Sequence, residues 1–149
     1  MTQFTLFGKQ LTDAEIDALK ALVAEAGCPA DEIAVVDAVS DPDPDVEDQV
    51  ILVLGTAATC ADADMETNLA KAANGGRRAI WIWPRDAEAA PLPAAAAKYS
   101  YSVIPWSAEK LGAVSADDDV TCFETPSGKP LPKVPTERNV CVEEKAKAQ

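Results

Sequence analysis

The spacing of apolar residues along the chain changes in a regular order. Phe4-Thr5-Leu6-Phe7 is a short apolar run ended by Gly8, and it predicts a first strand. Thr12-Asp13-Ala14-Glu15 has the spacing of a capping box, in which Thr12 accepts from a backbone N–H and Glu15 reaches back. Ile16, Leu19, Leu22 and Val23 then recur at helical spacing, predicting an amphipathic helix to about Ala26, with Gly27 as its stop. Residues 32–39, carrying Ile33, Val35, Val36 and Val39, predict a second strand. Asp41-Pro42-Asp43-Pro44-Asp45 follows, and its prolines exclude helix or central strand.

The middle of the chain holds the strongest pattern. Val50-Ile51-Leu52-Val53-Leu54 is continuously apolar, which predicts a strand over 49–55 buried on both faces. A loop of small residues, 55–61, leads to a predicted helix over 62–74 with Met65, Leu69, Ala72 and Ala73 on one side. Gly75-Gly76 ends it, and Ala79-Ile80-Trp81-Ile82-Trp83 belongs to a second buried strand over 78–83, stopped by Pro84. Such a strand–helix–strand unit is a right-handed crossover.

Beyond it, Pro91 and Pro93 precede a short helix over 94–98, and residues 101–105 predict a fifth strand. A helix follows over 107–114 with Ser107 as its N-cap. Asp117-Asp118-Asp119 reads as a solvated turn, and 120–124 as a last strand at an edge. Four prolines in 126–135 predict an extended run across the surface. The alternation predicts an α/β fold: a three-layer, flavodoxin-like open sheet, mostly parallel, of about five strands. One domain spans 1–125, and 126–149 form an extended Pro-rich, charged C-terminal tail.

Composition narrows the function. The 149 residues can bury the core of one domain, and the apolar fraction of 48% fits a globular chain. A formal net charge of -12, from 13 basic and 25 acidic residues, repels phosphate backbones and anionic membranes and suits a basic protein partner. The same charge also serves simply to keep a protein soluble. No apolar run reaches the ~18 residues of a membrane span, and residues 1–6 lack a signal-peptide pattern, so a cytoplasmic location is expected. Cys28, Cys60, Cys122 and Cys141 show no C-x-x-C pairing and are expected as reduced thiols; whether Cys122 and Cys141 pair is left open. The absence of histidine excludes Ser-His and Cys-His nucleophiles and mixed cysteine–histidine zinc sites, and no metal site is expected.

Chemistry in such sheets sits beyond the carboxyl ends of the strands, where loops 8–11, 55–61 and 84–86 should converge. Gly8, Lys9, Gly55 and Thr56 are candidate ligand contacts there, as are Asp64 and Trp106, which follows the fifth strand. Glu66 lies four residues after Asp62, so a helix beginning at 62 sets both carboxylates on one face. They are the catalytic candidates, with Glu66 stabilising or attacking a developing sugar cation in N-glycosidic cleavage. The competing reading is that acids at a helix start merely complement its dipole. Arg77-Arg78 falls at the amino end of its strand and reads as surface-solvated, whereas Trp81 and Trp83 share one face and read as core.

The run Asp48–Leu54, then Glu66, Ala70 and the strand after Gly76, resembles the nucleoside 2-deoxyribosyltransferase-like and TIR-like group. Thr5-Leu6-Phe7-Gly8 followed by residues 12–15 is similar to that group's first strand and loop. The resemblance implies that Glu66 is the catalytic glutamate and that the loops after Phe7 and Leu54 line a nucleoside or dinucleotide pocket. NAD or a nucleoside would then be a substrate rather than a resident cofactor. In place of the group's Asp-x-Gly-Thr loop the chain reads Thr59-Cys60-Ala61-Asp62-Ala63-Asp64-Met65, and Lys9 stands where a proline is usual. The alternative is a non-catalytic acidic interaction protein, an immunity protein or adaptor for a basic partner.

Overall fold

The computed structural model describes residues 2–27, 33–36, 39, 48–84, 92–116 and 122–129. Its strands are β1 (Thr2–Phe7), β2 (Ala34–Val36), β3 (Asp48–Leu54), β4 (Arg78–Ile82) and β5 (Ser102–Ile104). Its helices are α1 (Asp13–Glu25), α2 (Ala57–Cys60), α3 (Met65–Asn74), α4 (Ala94–Tyr99) and α5 (Ala108–Ala116). The strands form one sheet in the order β2-β1-β3-β4-β5, and every pairing is parallel. This is the flavodoxin-like order, and the expected open three-layer sheet is present.

Burial on both faces explains the continuous apolar runs. In β3, Val50, Leu52 and Leu54 face one core with Leu19, Leu22 and Val23 of α1 and Leu111 and Val114 of α5. Ile51 and Val53 face the other with Met65, Leu69 and Ala72 of α3 and Ala96 of α4. Each large apolar side chain so buried contributes about 1.5–3 kcal/mol of transfer free energy. Trp81 and Trp83 lie in the second core, ring centroids 5.8 Å apart and nearly perpendicular.

Local signals hold where they are self-contained. Glu15 N–H donates to Thr12 Oγ1 and Thr12 N–H to Glu15 Oε1, completing the capping box. Gly27 follows the last turn of α1 with φ of 83°, the left-handed stop that glycine adopts without strain. Ser107 Oγ accepts from Lys110 N–H at the start of α5.

Several expectations are corrected. The helix predicted from 62 starts at Met65, because 57–60 form a separate helical turn and 61–64 a turn between the two. Asp62 and Glu66 therefore do not share a helix. The second strand is only Ala34–Val36, with 32, 37 and 38 outside the described residues. Of the last strand, predicted over 120–124, residues 120 and 121 lie outside the described residues, and Phe123 makes a parallel bridge to Val103 beside β5. Residues 125–129 close a turn, with Gly128 N–H donating to Thr125 O and Thr125 N–H to Lys129 O, rather than running extended. The remainder of the tail, Cys28, Cys141 and Asp117-Asp118-Asp119 lie outside the described residues.

Arg77 and Arg78 are buried, at 4% and 7% exposure, not solvated. Arg77 Nη2 donates to Lys71 O in the last turns of α3, and Arg78 Nη1 to Val114 O near the end of α5. Alternation along the strand sends the two guanidinium groups to opposite faces, each onto a helix C-terminus whose dipole favours a cation. Arg78 also stands 5.8 Å from the Tyr101 ring centroid.

Candidate functional site

The strand order reverses between β1 and β3, and in open α/β sheets ligands lie in the crevice at that point. The loops after Phe7 and Leu54 do meet there. Lys9 N–H donates to Thr59 Oγ1 at 3.0 Å, across the crevice. Thr56 Oγ1 donates to Thr59 Oγ1 at 3.0 Å and accepts from Thr59 N–H at 3.2 Å, so Thr56 caps α2 and holds Thr59 in place. Thr59 is fully buried. Gln10 turns the first loop with a φ of 54°, in a region that costs a non-glycine residue roughly 1–2 kcal/mol.

Beneath the second loop the space is filled. A Cβ added at Gly55 would lie 2.5 Å from Cε2 and Cζ2 of the Trp81 indole, so glycine lets the backbone rest on the ring. Trp81 Nε1 is buried and has no hydrogen-bond partner among the described residues. A Cβ at Gly8 would meet the Leu11 side chain at 2.8 Å, so Leu11 covers the first loop in the same way. Cys60 is the last residue of α2, next to Thr59. Its Sγ donates to Gly55 O at 3.8 Å, and partial burial raises its pKa, keeping it a thiol rather than the reactive thiolate.

The carboxylates are not gathered at the crevice. Asp62 Oδ1 accepts from Asp64 N–H at 3.0 Å, and Asp62 O from Met65 N–H at 3.2 Å, which shapes the turn into α3. Asp62 Oδ2 is buried without a hydrogen-bond partner among the described residues. Asp64 is exposed at the N-cap of α3, and Glu66 is exposed in its first turn. Glu66 lines a shallow, wide-open groove of about 610 Å³ with Thr67, Ala70, Lys71, Asn74 and Tyr99. That groove follows the length of α3 beside α4, and no residue of 8–11 or 55–61 lines it.

Trp106 is half-buried and packs against the α1–α5 core. It follows β5, which β4 separates from the β1–β3 crevice, so it is not brought together with Lys9 or Thr56. Of the candidates, then, Gly8, Lys9, Gly55 and Thr56 converge at the crevice, whereas Asp64, Glu66 and Trp106 lie elsewhere. Arg85 and Asp86 lie outside the described residues. Thr59 was missed, although Thr56-x-x-Thr59 has the spacing of a helix cap that would have pointed to it. No sequence signal marks Gln10. Comparison with known protein families, with curated proteins and with solved structures returns no match. Among the described residues, no helix is long and apolar enough to cross a membrane.

Proposed function

We propose that this chain is a non-catalytic interaction protein, an adaptor or immunity protein, whose acidic stretch takes a basic protein partner. One observation carries the reading. Between Lys20 and Lys71 the chain has no lysine or arginine but 12 acidic residues, equal in number to its net charge of -12. The remainder is balanced, with 13 residues of each sign. The unbalanced charge therefore belongs to one continuous third of the sequence, which includes β2, β3, α2 and the first half of α3. An excess of one sign steers an oppositely charged protein toward the chain. The closed crevice and the dispersed carboxylates support a binder over a catalyst.

A second reading keeps a nucleoside or dinucleotide as ligand, with Glu66 as central carboxylate. It is favoured by the groove beside α3, whose volume suits a nucleoside and which carries the Tyr99 ring. Two measurements separate the readings. Retention of basic proteins from the source lysate at low salt, lost at moderate salt and on changing Asp41, Asp43 and Asp45 to Asn, is the expected result. Turnover of NAD or a nucleoside, abolished by Glu66→Gln, would overturn it in favour of the second.

A further inference from the structure

α3 ends on the run Asn74-Gly75-Gly76. Gly75 N–H donates to Lys71 O at 3.1 Å, Gly76 N–H to Ala73 O at 3.1 Å, and Arg77 N–H to Ala72 O at 3.0 Å. Gly76 has a φ of 75°, so the last two bonds form the left-handed stop of a Schellman motif. Ala72 and Ala73 are buried in this turn, whereas Asn74, Gly75 and Gly76 are exposed.

This stop sets an asparagine beside a glycine. The side-chain amide of an asparagine lies within reach of the next backbone nitrogen, and the side chain of that next residue is the main hindrance to ring closure between them. Of the chain's three asparagines, Asn68 precedes Leu69 and Asn139 precedes Val140; Asn74 alone precedes a glycine. Asn68 is also buried, with Oδ1 accepting from Val39 N–H and Nδ2 donating to Asp64 O. Asn74 is open to water, and what restrains it is its helical backbone and the bond from Gly75 N–H to Lys71 O. Glycine disfavours helix, and terminal turns are the first part of a helix to open.

We infer that Asn74 is a site of spontaneous deamidation, gated by opening of the last turn of α3. When the turn opens, Gly75 N gives up its proton and attacks Asn74 Cγ. A Cγ–N bond forms, the Cγ–Nδ2 bond breaks, and Nδ2 takes up a proton and leaves as ammonia. The succinimide ring then consumes one water. Addition at Cγ gives aspartate; addition at the backbone carbonyl gives isoaspartate, whose chain runs through Cβ. Either product adds a negative charge at the C-terminal end of α3, where the helix dipole opposes it. Isoaspartate also lengthens the backbone within the cap, which loosens the turn that lines the groove with Lys71 and Tyr99. The inference is independent of the acidic-partner reading.

The test holds the full chain in warm, mildly alkaline buffer and follows it by anion-exchange chromatography, peptide mass mapping and isoaspartate detection. The urea-unfolded chain supplies the ungated rate. The expected result is conversion at Asn74 and not at Asn68, about tenfold slower in the folded chain than in the unfolded one. Gly75→Ala, where a φ of -85° suits alanine, should suppress conversion in both states. Gly76→Ala strains the left-handed stop and should raise the folded rate toward the unfolded one. The comparison of folded with unfolded chain keeps the test valid if Gly76→Ala fails to fold. Absence of conversion at Asn74 in the folded chain would overturn the site. Equal rates in the folded and unfolded chains would overturn the gate, and a rate indifferent to Gly75→Ala would overturn the succinimide route.

Discussion

Gly55→Ala tests whether the crevice is as tightly packed as the geometry requires. Gly55 does not use a positive φ, so alanine suits its backbone. On unfolded-state entropy alone the change would stabilise the protein by about 0.4–1 kcal/mol. Packing reverses the sign. The new methyl would lie 2.5 Å from Cε2 and Cζ2 and 2.6 Å from Nε1 of Trp81, where ordinary contact needs about 3.5–4 Å. Either the ring or the strand end must shift by about 1 Å. The indole is fully buried and abuts Trp83 edge-on at 5.8 Å, so it has no space to retreat into. Overpacking of this kind costs about 1–3 kcal/mol, which lowers Tm by roughly 3–10 °C for a chain of this size. Urea and thermal unfolding followed by tryptophan fluorescence and circular dichroism measure both quantities. Gly8→Ala is the control, since the nearest atoms to its methyl are Cγ, Cδ1 and Cδ2 of the half-buried Leu11, a flexible side chain with more room to move than the indole, and it should cost less. Adding Trp81→Phe to Gly55→Ala should recover part of the loss, with a coupling of about 1 kcal/mol. A Gly55→Ala protein as stable as the parent would refute the packing argument.

Other consequences follow from single bonds. Asn68→Ala leaves the buried Val39 N–H unpaired and should cost about 1–3 kcal/mol, with faster amide exchange at Val39 in hydrogen-exchange measurements. Arg78→Met keeps the aliphatic stem but loses the charged bond to Val114 O, and denaturant titration should show a loss of about 1.5–3 kcal/mol. Thr59→Val removes the acceptor of Lys9 N–H, and the exchange protection of that amide should collapse without loss of the sheet; retained protection would disprove the bridge. In a protein whose other cysteines are serine, alkylation of Cys60 should reach half its maximal rate at a higher pH than for a free cysteine. The folded protein holds the thiol proton more tightly, and a midpoint at or below the free value would contradict the burial.

What the sequence determined by itself was whatever depends on near neighbours and on period. The unbroken run Val50–Leu54 specified a strand buried on both faces, because water is absent from either side of a central parallel strand. Thr12 and Glu15 specified the start of α1, since a capping box closes within one turn. Trp81 and Trp83 were legible as core from their shared face. The tertiary structure alone decided the rest. The acids at 62, 64 and 66 fit a helix start equally well at any of three positions, and the Thr56–Thr59 cap displaced it to Met65. Arg77 and Arg78 read as exposed because their charge argues for water, yet the ends of α3 and α5, distant in sequence for Arg78, supply carbonyls that replace it. The closing of the crevice by Lys9 and Thr59 joins residues 50 positions apart. No local pattern encodes such a bond; it exists because parallel pairing of β1 with β3 carries both loops to the same edge.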